Sequence, residues 1–252
     1  MQKLQLYLSV TLLILGLPIL MSAQMNSGEI VFDRTSYWLK INDQLPYLSQ
    51  EEKDRSNMTW GRSGGYTTKS LLVFDGERSL FRDAPELNEN AGNRSWRASD
   101  YLLLRDAGTN TRNDIIEMPD RTYLIEDTIP RYKWKILSEI RDIQGYICMN
   151  AETYDSIKSQ RIIAWFAMDI PISAGPEGFS GLPGMILGID INDGAVIIEA
   201  SKVDFKALEK PIQLPKRKRL KKINEATYTA LLKTYIDDSI KMERNPFRAI
   251  RY

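Results

Sequence analysis

Two turn signals fix the class of fold open to this chain. Asp75-Gly76 stands between the apolar runs Lys69–Phe74 and Arg78–Phe81. Asp-Gly adopts the primed turn whose twist matches two antiparallel strands, so this stretch predicts a hairpin. Asn192-Asp193-Gly194 repeats the device between Met185–Ile191 and Ala195–Ala200. Other short apolar runs lie at Gly28–Phe32, Asp114–Met118, Thr122–Ile125, Tyr132–Ile136, Ile143–Met149 and Arg161–Met168. Many short strands punctuated by turns predict a mainly β (α+β) protein, either an antiparallel sandwich or a curled half-barrel. Ile189, Ile191, Val196 and Ile198 alternate with Asp190 and Glu199, as in sheets with one wet face. Ala84–Asn113 is polar and breaks this pattern, so it is expected to be an exposed insertion. Leu48–Trp60 is charged and weakly helical.

The end of the chain changes period. Pro211 and Pro215 bracket a connector, and Lys216–Lys222 is almost entirely basic. Tyr228, Leu231, Leu232, Tyr235, Ile236 and Ile240 then fall at helical spacing, which predicts one C-terminal amphipathic helix over Asn224–Glu243, stopped by Asn245-Pro246. From Lys210 onward the chain carries 12 Lys and Arg against 4 Asp and Glu, a net of +8. A lone helix of that length is marginal in water, so its apolar stripe needs a surface. We expect it to dock on the β domain with the basic run beside an acidic face. The rival is a tail that recruits the chain to an acidic partner or membrane surface.

The first 23 residues read as a signal peptide: Lys3, the apolar run Leu4–Leu20, then Ser22-Ala23 before the expected cut. The expected layout is a signal peptide at 1–23, a β domain at 24–209 with its insertion near 84–113, and a basic connector with helix at 210–252. No second apolar stretch of spanning length follows, so no transmembrane segment is expected in the mature chain. The expected location is the periplasm or the exterior. An exported chain gives the basic run no nuclear role, and no nucleic-acid partner is expected. The chain has no histidine and a single cysteine, Cys148. That removes the usual general base and metal ligand, and any internal disulfide. Cys148 sits between Ile147 and Met149 and is expected to be buried. No cofactor and no metal are expected.

The densest punctuation lies between Ala164 and Asp190. Gly175, Pro176, Gly178, Gly181, Pro183 and Gly184 separate two apolar runs, which predicts a tightly specified turn. Phe179 and Leu182 are expected to pack it onto the body as in a compact Ω-loop. A phosphate-binding reading fails, because Met185-Ile186 follows the last glycine where Lys-Ser/Thr is required. The candidate binding or structural loop comprises Trp165, Asp169, Gly175, Pro176, Glu177, Phe179, Gly181, Leu182, Pro183 and Gly184. Asp169 and Glu177 are its only carboxylate pair; without histidine, acid–base work would fall to them.

Gly181-Leu182-Pro183-Gly184-Met185-Ile186 resembles the signature of the GLPGLI family of secreted Bacteroidota proteins, with Met185 in place of leucine. Gly145-Tyr146-Ile147-Cys148, Ala164-Trp165-Phe166, Asp169-Ile170-Pro171-Ile172 and Gly175-Pro176 are similar to it in the same order. The resemblance runs from Trp134 to Leu187 and implies export without implying a reaction. Two functions follow as expectations. The first is a non-enzymatic cell-envelope protein binding a partner protein or apolar ligand. The second is a carboxylate-dependent hydrolase acting at the Gly-Pro loop.

Overall fold

A computed structural model of the chain describes residues 26–61, 64–87 and 101–252. The expected signal peptide lies outside the described residues. The chain forms β1 (Gly28–Ser36), α1 (Trp38–Asp43), α2 (Gln50–Trp60), β2 (Tyr66–Phe74), β3 (Arg78–Asp83) and β4 (Tyr101–Asp106). It continues through β5 (Thr111–Glu117), β6 (Thr122–Thr128), β7 (Lys135–Ile143), β8 (Tyr146–Asp155) and β9 (Gln160–Ala167). Then come β10 (Met185–Ile191), β11 (Val196–Phe205), β12 (Lys221–Ile223) and α3 (Glu225–Lys241). All the strands belong to one sheet in the order β12-β6-β5-β4-β3-β2-β1-β11-β10-β9-β8-β7. Among the described residues every pairing is antiparallel except β12 on β6. The sheet is two sequential meanders, β1–β6 and β7–β11, joined where β1 pairs with β11.

That order forces the sheet to curl. β6 and β7 stand ten strand spacings apart, about 48 Å in a flat sheet. Residues 129–134 connect them, and so short a segment reaches at most about 25 Å. The two edges must therefore swing toward each other. Of the two shapes expected, the curled single sheet is found. Residues 132–134, expected as strand, instead belong to this edge-to-edge crossing.

The concave face follows from period-2 alternation carried across the register. It takes Ile30, Phe32 and Arg34 from β1, with Ser70 opposite Phe32, and Asp83 opposite Ser70. Leu103 of β4 faces Asp114 of β5, and Arg105 faces Arg112. Ile162, Ile191 and Val196 line the other meander and are almost fully buried. The expected insertion at 84–113 is corrected here. Residues 88–100 are not described, but Tyr101–Asp106 is a strand whose Leu102 and Leu103 are buried, and β5 begins at Thr111. The charges that made the stretch look exposed, Arg105 and Arg112, point inward.

Both expected Gly turns form, with Gly76 at φ 87° and Gly194 at φ 81°. The Asn224 side chain caps α3 by accepting from the Thr227 N–H at 3.0 Å. Leu232 and Ile236 are buried and Ile240 is exposed, so the helix docks through most of its stripe. From the basic run, Lys222 pairs with Glu126 at 3.1 Å. Beyond α3 the tail turns into the concave side, where Phe247, Ile250 and Tyr252 are buried. No helix among the described residues is long and apolar enough to cross a membrane.

Candidate functional site

The Gly-Pro loop crosses the mouth of the curled sheet. It leaves β9, returns to β10, and lays its 3-10 turn, Pro176–Gly178, on β3 and β4. It is closed by its own bonds: the Met185 N–H donates to Ile170 O at 2.9 Å, and the Gly181 N–H to Ser173 Oγ at 2.7 Å. Phe179 packs on Tyr132, with ring centroids 4.9 Å apart, and Trp134 Nε1–H donates to Ser180 O at 2.9 Å. Phe179 and Leu182 are buried. Gly184 is needed for room, since a Cβ there would run into the Ala167 carbonyl. Pro183 follows Leu182 at the exit. Gly181, at φ 94°, and Gly178, at φ 72°, need the left-handed region.

Glu177 also sits in that region, at φ 56°. Its carboxylate is buried, with the side chain only 7% exposed. Arg251, from the tail, donates to both its oxygens at 2.7–2.9 Å and to both oxygens of Asp83 at 2.9 Å. The same guanidinium lies 4.3 Å over the Tyr101 ring. Arg34 Nε stands 3.4 Å from Glu177 without hydrogen-bond alignment. Burial alone would raise the Glu177 pKa, but Arg251 and Arg34 overcome it and hold it down at about 2. Burial pushes Tyr101 up, and the Glu177 charge pushes it further. Burial and repulsion from Arg251 lower Arg34.

A second ionic group lies along β4 and β5. Asp114, fully buried, receives Arg105 Nη1 on one oxygen and Arg112 Nε on the other, the latter at 2.5 Å. Arg112 also pairs with Glu225 at the start of α3. Each group has two cations and two anions. Burial pushes the neighbouring Tyr132 up to about 12 against the pull of Arg105 and Arg112.

Two cavities open on this interior. The smaller, about 310 Å³, is walled by Arg105, Arg112, Lys158, Gln160, Phe179 and Tyr228 among others. The larger, about 590 Å³, lies beneath α1 and α2 and is walled by Trp38, Ile41, Trp60, Met118, Leu232 and Phe247, with Arg34 on its floor. Trp60 stacks on Trp38 at 6.1 Å and tilts against Tyr66 at 6.2 Å. Among the described residues no cluster of Cys, Asp and Glu could hold a metal ion.

The expected site residues are thus divided. Glu177 and Phe179 reach the smaller cavity. Asp169 is exposed and lines a different pocket with Ile170, Pro171 and Phe205, so it does not share a cavity with Glu177. Trp165 is on the opposite face of β9, beneath the Arg141 guanidinium at 4.4 Å. Gly175 and Pro176 are buried as the loop's scaffold. Cys148 is buried, and burial lifts its thiol to about 11. Sequence reasoning missed Arg34, Asp83, Tyr101, Arg105, Arg112, Asp114, Lys158 and Arg251. One signal was available: Arg34 continues the inward series Ile30, Phe32, and Arg105 continues Tyr101, Leu103.

Residues 155–188, which take in the whole loop, match the model of a family described as a protein of unknown function (Porph_ging). No curated protein matches. Two solved structures of PNGF-II, in space groups P21 and C2, are similar with TM-scores of 0.54 and 0.52 at 15% identity. They cover 82% of this chain, which spans about a third of theirs, 33% and 32%. At that identity the likeness speaks of the fold alone.

Proposed function

We propose that this chain is an exported, non-enzymatic binding protein of the cell envelope that takes an apolar ligand inside its curled sheet. The observation that carries this reading is the larger cavity, about 590 Å³, with Trp38, Trp60, Ile41 and Met118 on its walls. A concave, mainly apolar space with a few polar groups is the usual form of a small-molecule site. Binding is supported over carboxylate hydrolysis by the state of Glu177. A carboxylate clamped by Arg251 and held at about 2 is a poor proton donor or base near neutrality, and Asp169 is not beside it. The family match assigns no reaction against this.

The test uses the neutral dye N-phenyl-1-naphthylamine, with tryptophan emission as the readout. Saturable quenching that weakens in Trp38→Ala is expected. Linear, non-saturating quenching in the unaltered chain overturns the reading. Cell fractionation tests export, which a cytoplasmic chain at full length would contradict.

A further inference from the structure

Lys158 stands on the wall shared by the two cavities. Its setting differs from that of the arginines around it. Arg34, Arg105, Arg112 and Arg251 each lie within ion-pair distance of a carboxylate. Lys158 has no such partner among the described residues. Asp155 acts on it as a charge, yet Asp155 Oδ1 accepts from the backbone N–H groups of Ile157 and Lys158, at 2.8 and 3.1 Å. Lys158 Nζ donates to one acceptor, the Arg251 carbonyl at 2.9 Å. An ammonium carries three donors, so this seat suits a nitrogen with fewer hydrogens. Burial lowers the Lys158 pKa; Asp155 and Glu177 oppose the shift, Arg34 and Arg251 add to it, and the net is downward. A lysine amine that is desolvated and beside other cations is a nucleophile near neutrality.

We propose that Lys158 anchors an apolar aldehyde or ketone in the larger cavity, joined to it as a reversible Schiff base. The inference rests on the reading of that cavity as the site of an apolar ligand. The amine adds to the carbonyl carbon, and the carbinolamine then loses water. The C=O bond gives way to C=N, and the oxygen leaves with both hydrogens of the neutral amine. No oxidant, reductant or cofactor is required. Once protonated, the imine has one N–H, which matches the one acceptor that the Arg251 carbonyl provides. Asp155 and Glu177 are near enough to act on its charge. The apolar body lies against Ile41, Met118, Leu232 and Phe247, which wall the same cavity. An alcohol or hydrocarbon of the same shape fits those walls but forms no such bond, so the amine sets the class of ligand.

The test incubates the full chain at pH 7 with 2-naphthaldehyde and sodium cyanoborohydride, which delivers hydride to an imine and fixes it as a secondary amine. Peptide mass spectrometry then gives the rate at each lysine. Lys158 should be modified about tenfold faster, or more, than the exposed Lys133 and Lys216, because ordinary lysines are almost wholly protonated at that pH. The chain's α-amine is partly neutral there and is left out of the comparison. Excess 2-methylnaphthalene, which fills the cavity and forms no imine, should slow Lys158 and leave Lys133 unchanged. Lys158→Met should remove the fast site and leave the exposed lysines as they were. The proposal is overturned if Lys158 reacts no faster than Lys133, or if 2-methylnaphthalene does not slow it. Both readings come from the unaltered chain, so neither depends on a variant folding. Saturable binding of N-phenyl-1-naphthylamine beside an unreactive Lys158 sinks the Schiff base and keeps the apolar cavity; absence of both sinks both.

Discussion

The two ionic quartets have the same formal composition and opposite architecture. In Arg105, Arg112, Asp114 and Glu225, three members belong to one hairpin, β4–β5, and the fourth is added by α3. In Arg34, Asp83, Glu177 and Arg251, each member comes from a different part of the chain: β1, β3, the Gly-Pro loop and the tail. The local group has its pieces brought together by a turn. The dispersed group exists only when the sheet has curled, the loop has crossed and the tail has entered. Its geometry therefore reports on the whole fold, whereas the other reports on one hairpin and a helix start.

Truncation after Leu214 should have the largest effect, since it removes Arg251, α3 and β12 together. We expect it to abolish cooperative thermal unfolding and drive aggregation. A truncated body with an unchanged melting temperature, coupled to loss of anionic-liposome binding, would reinstate the recruiting tail. Next comes Arg251→Ala, which strands Glu177 in the interior. Removing one partner of a buried pair costs about 3–5 kcal/mol, readable as a lower urea midpoint. If Glu225→Gln costs as much, the contrast between the quartets is broken.

Acid should act on the dispersed group through Glu177. The Glu177 pKa is depressed in the folded chain, to about 2 from 4.5. Its contribution is therefore intact above pH about 4.5 and fades as the pH falls toward about 2, worth about 3 kcal/mol in all. A melting temperature falling through that window, with a shallower fall in Glu177→Gln, is the expected pattern. Gly184→Val should cost about 1–3 kcal/mol by crowding the Ala167 carbonyl and displacing the loop that carries Glu177. Met185→Leu nearly conserves volume and should change much less; equal melting temperatures for these two variants would refute the role given to Gly184. Glu225→Gln should be mildest, below about 1 kcal/mol, because Glu225 is 40% exposed and Arg112 keeps Asp114.

The elements of the fold were largely legible in the sequence, and the dispersed quartet was not. Turns are written locally: Asp75-Gly76, Asn192-Asp193-Gly194 and the cap at Asn224 each need only a few neighbours. The Gly-Pro loop was legible as a fixed turn because its glycines and prolines are contiguous. Glu177 could be named from it, but its partner Arg251 lies 74 residues away, in a run of tail with no periodic signal. Alternation reveals which way Arg34 points without revealing what it meets. At Ala84–Asn113 the same rule was overridden by composition: Arg105 and Arg112 are neutralised by Asp114 and Glu225, which a count of charges cannot register. Asp169 misled for the converse reason, since closeness to Glu177 in sequence is undone by the turn between them.

The joint between β1 and β11 also sets how this chain must fold in time. Each meander can grow hairpin by hairpin, and such closures of short segments take microseconds. The joint pairs Ile30 with Val203 and Arg34 with Ile198, so it waits on a loop spanning most of the polypeptide. Contacts so distant along the chain make folding slow. Until the joint closes, β1 and β11 each offer an unpaired edge with Phe32 or Ile198 beside it, open to the same edges of other copies. The rate at which β1 finds β11 therefore competes with concentration. Refolding yield should fall as the chain is made more concentrated.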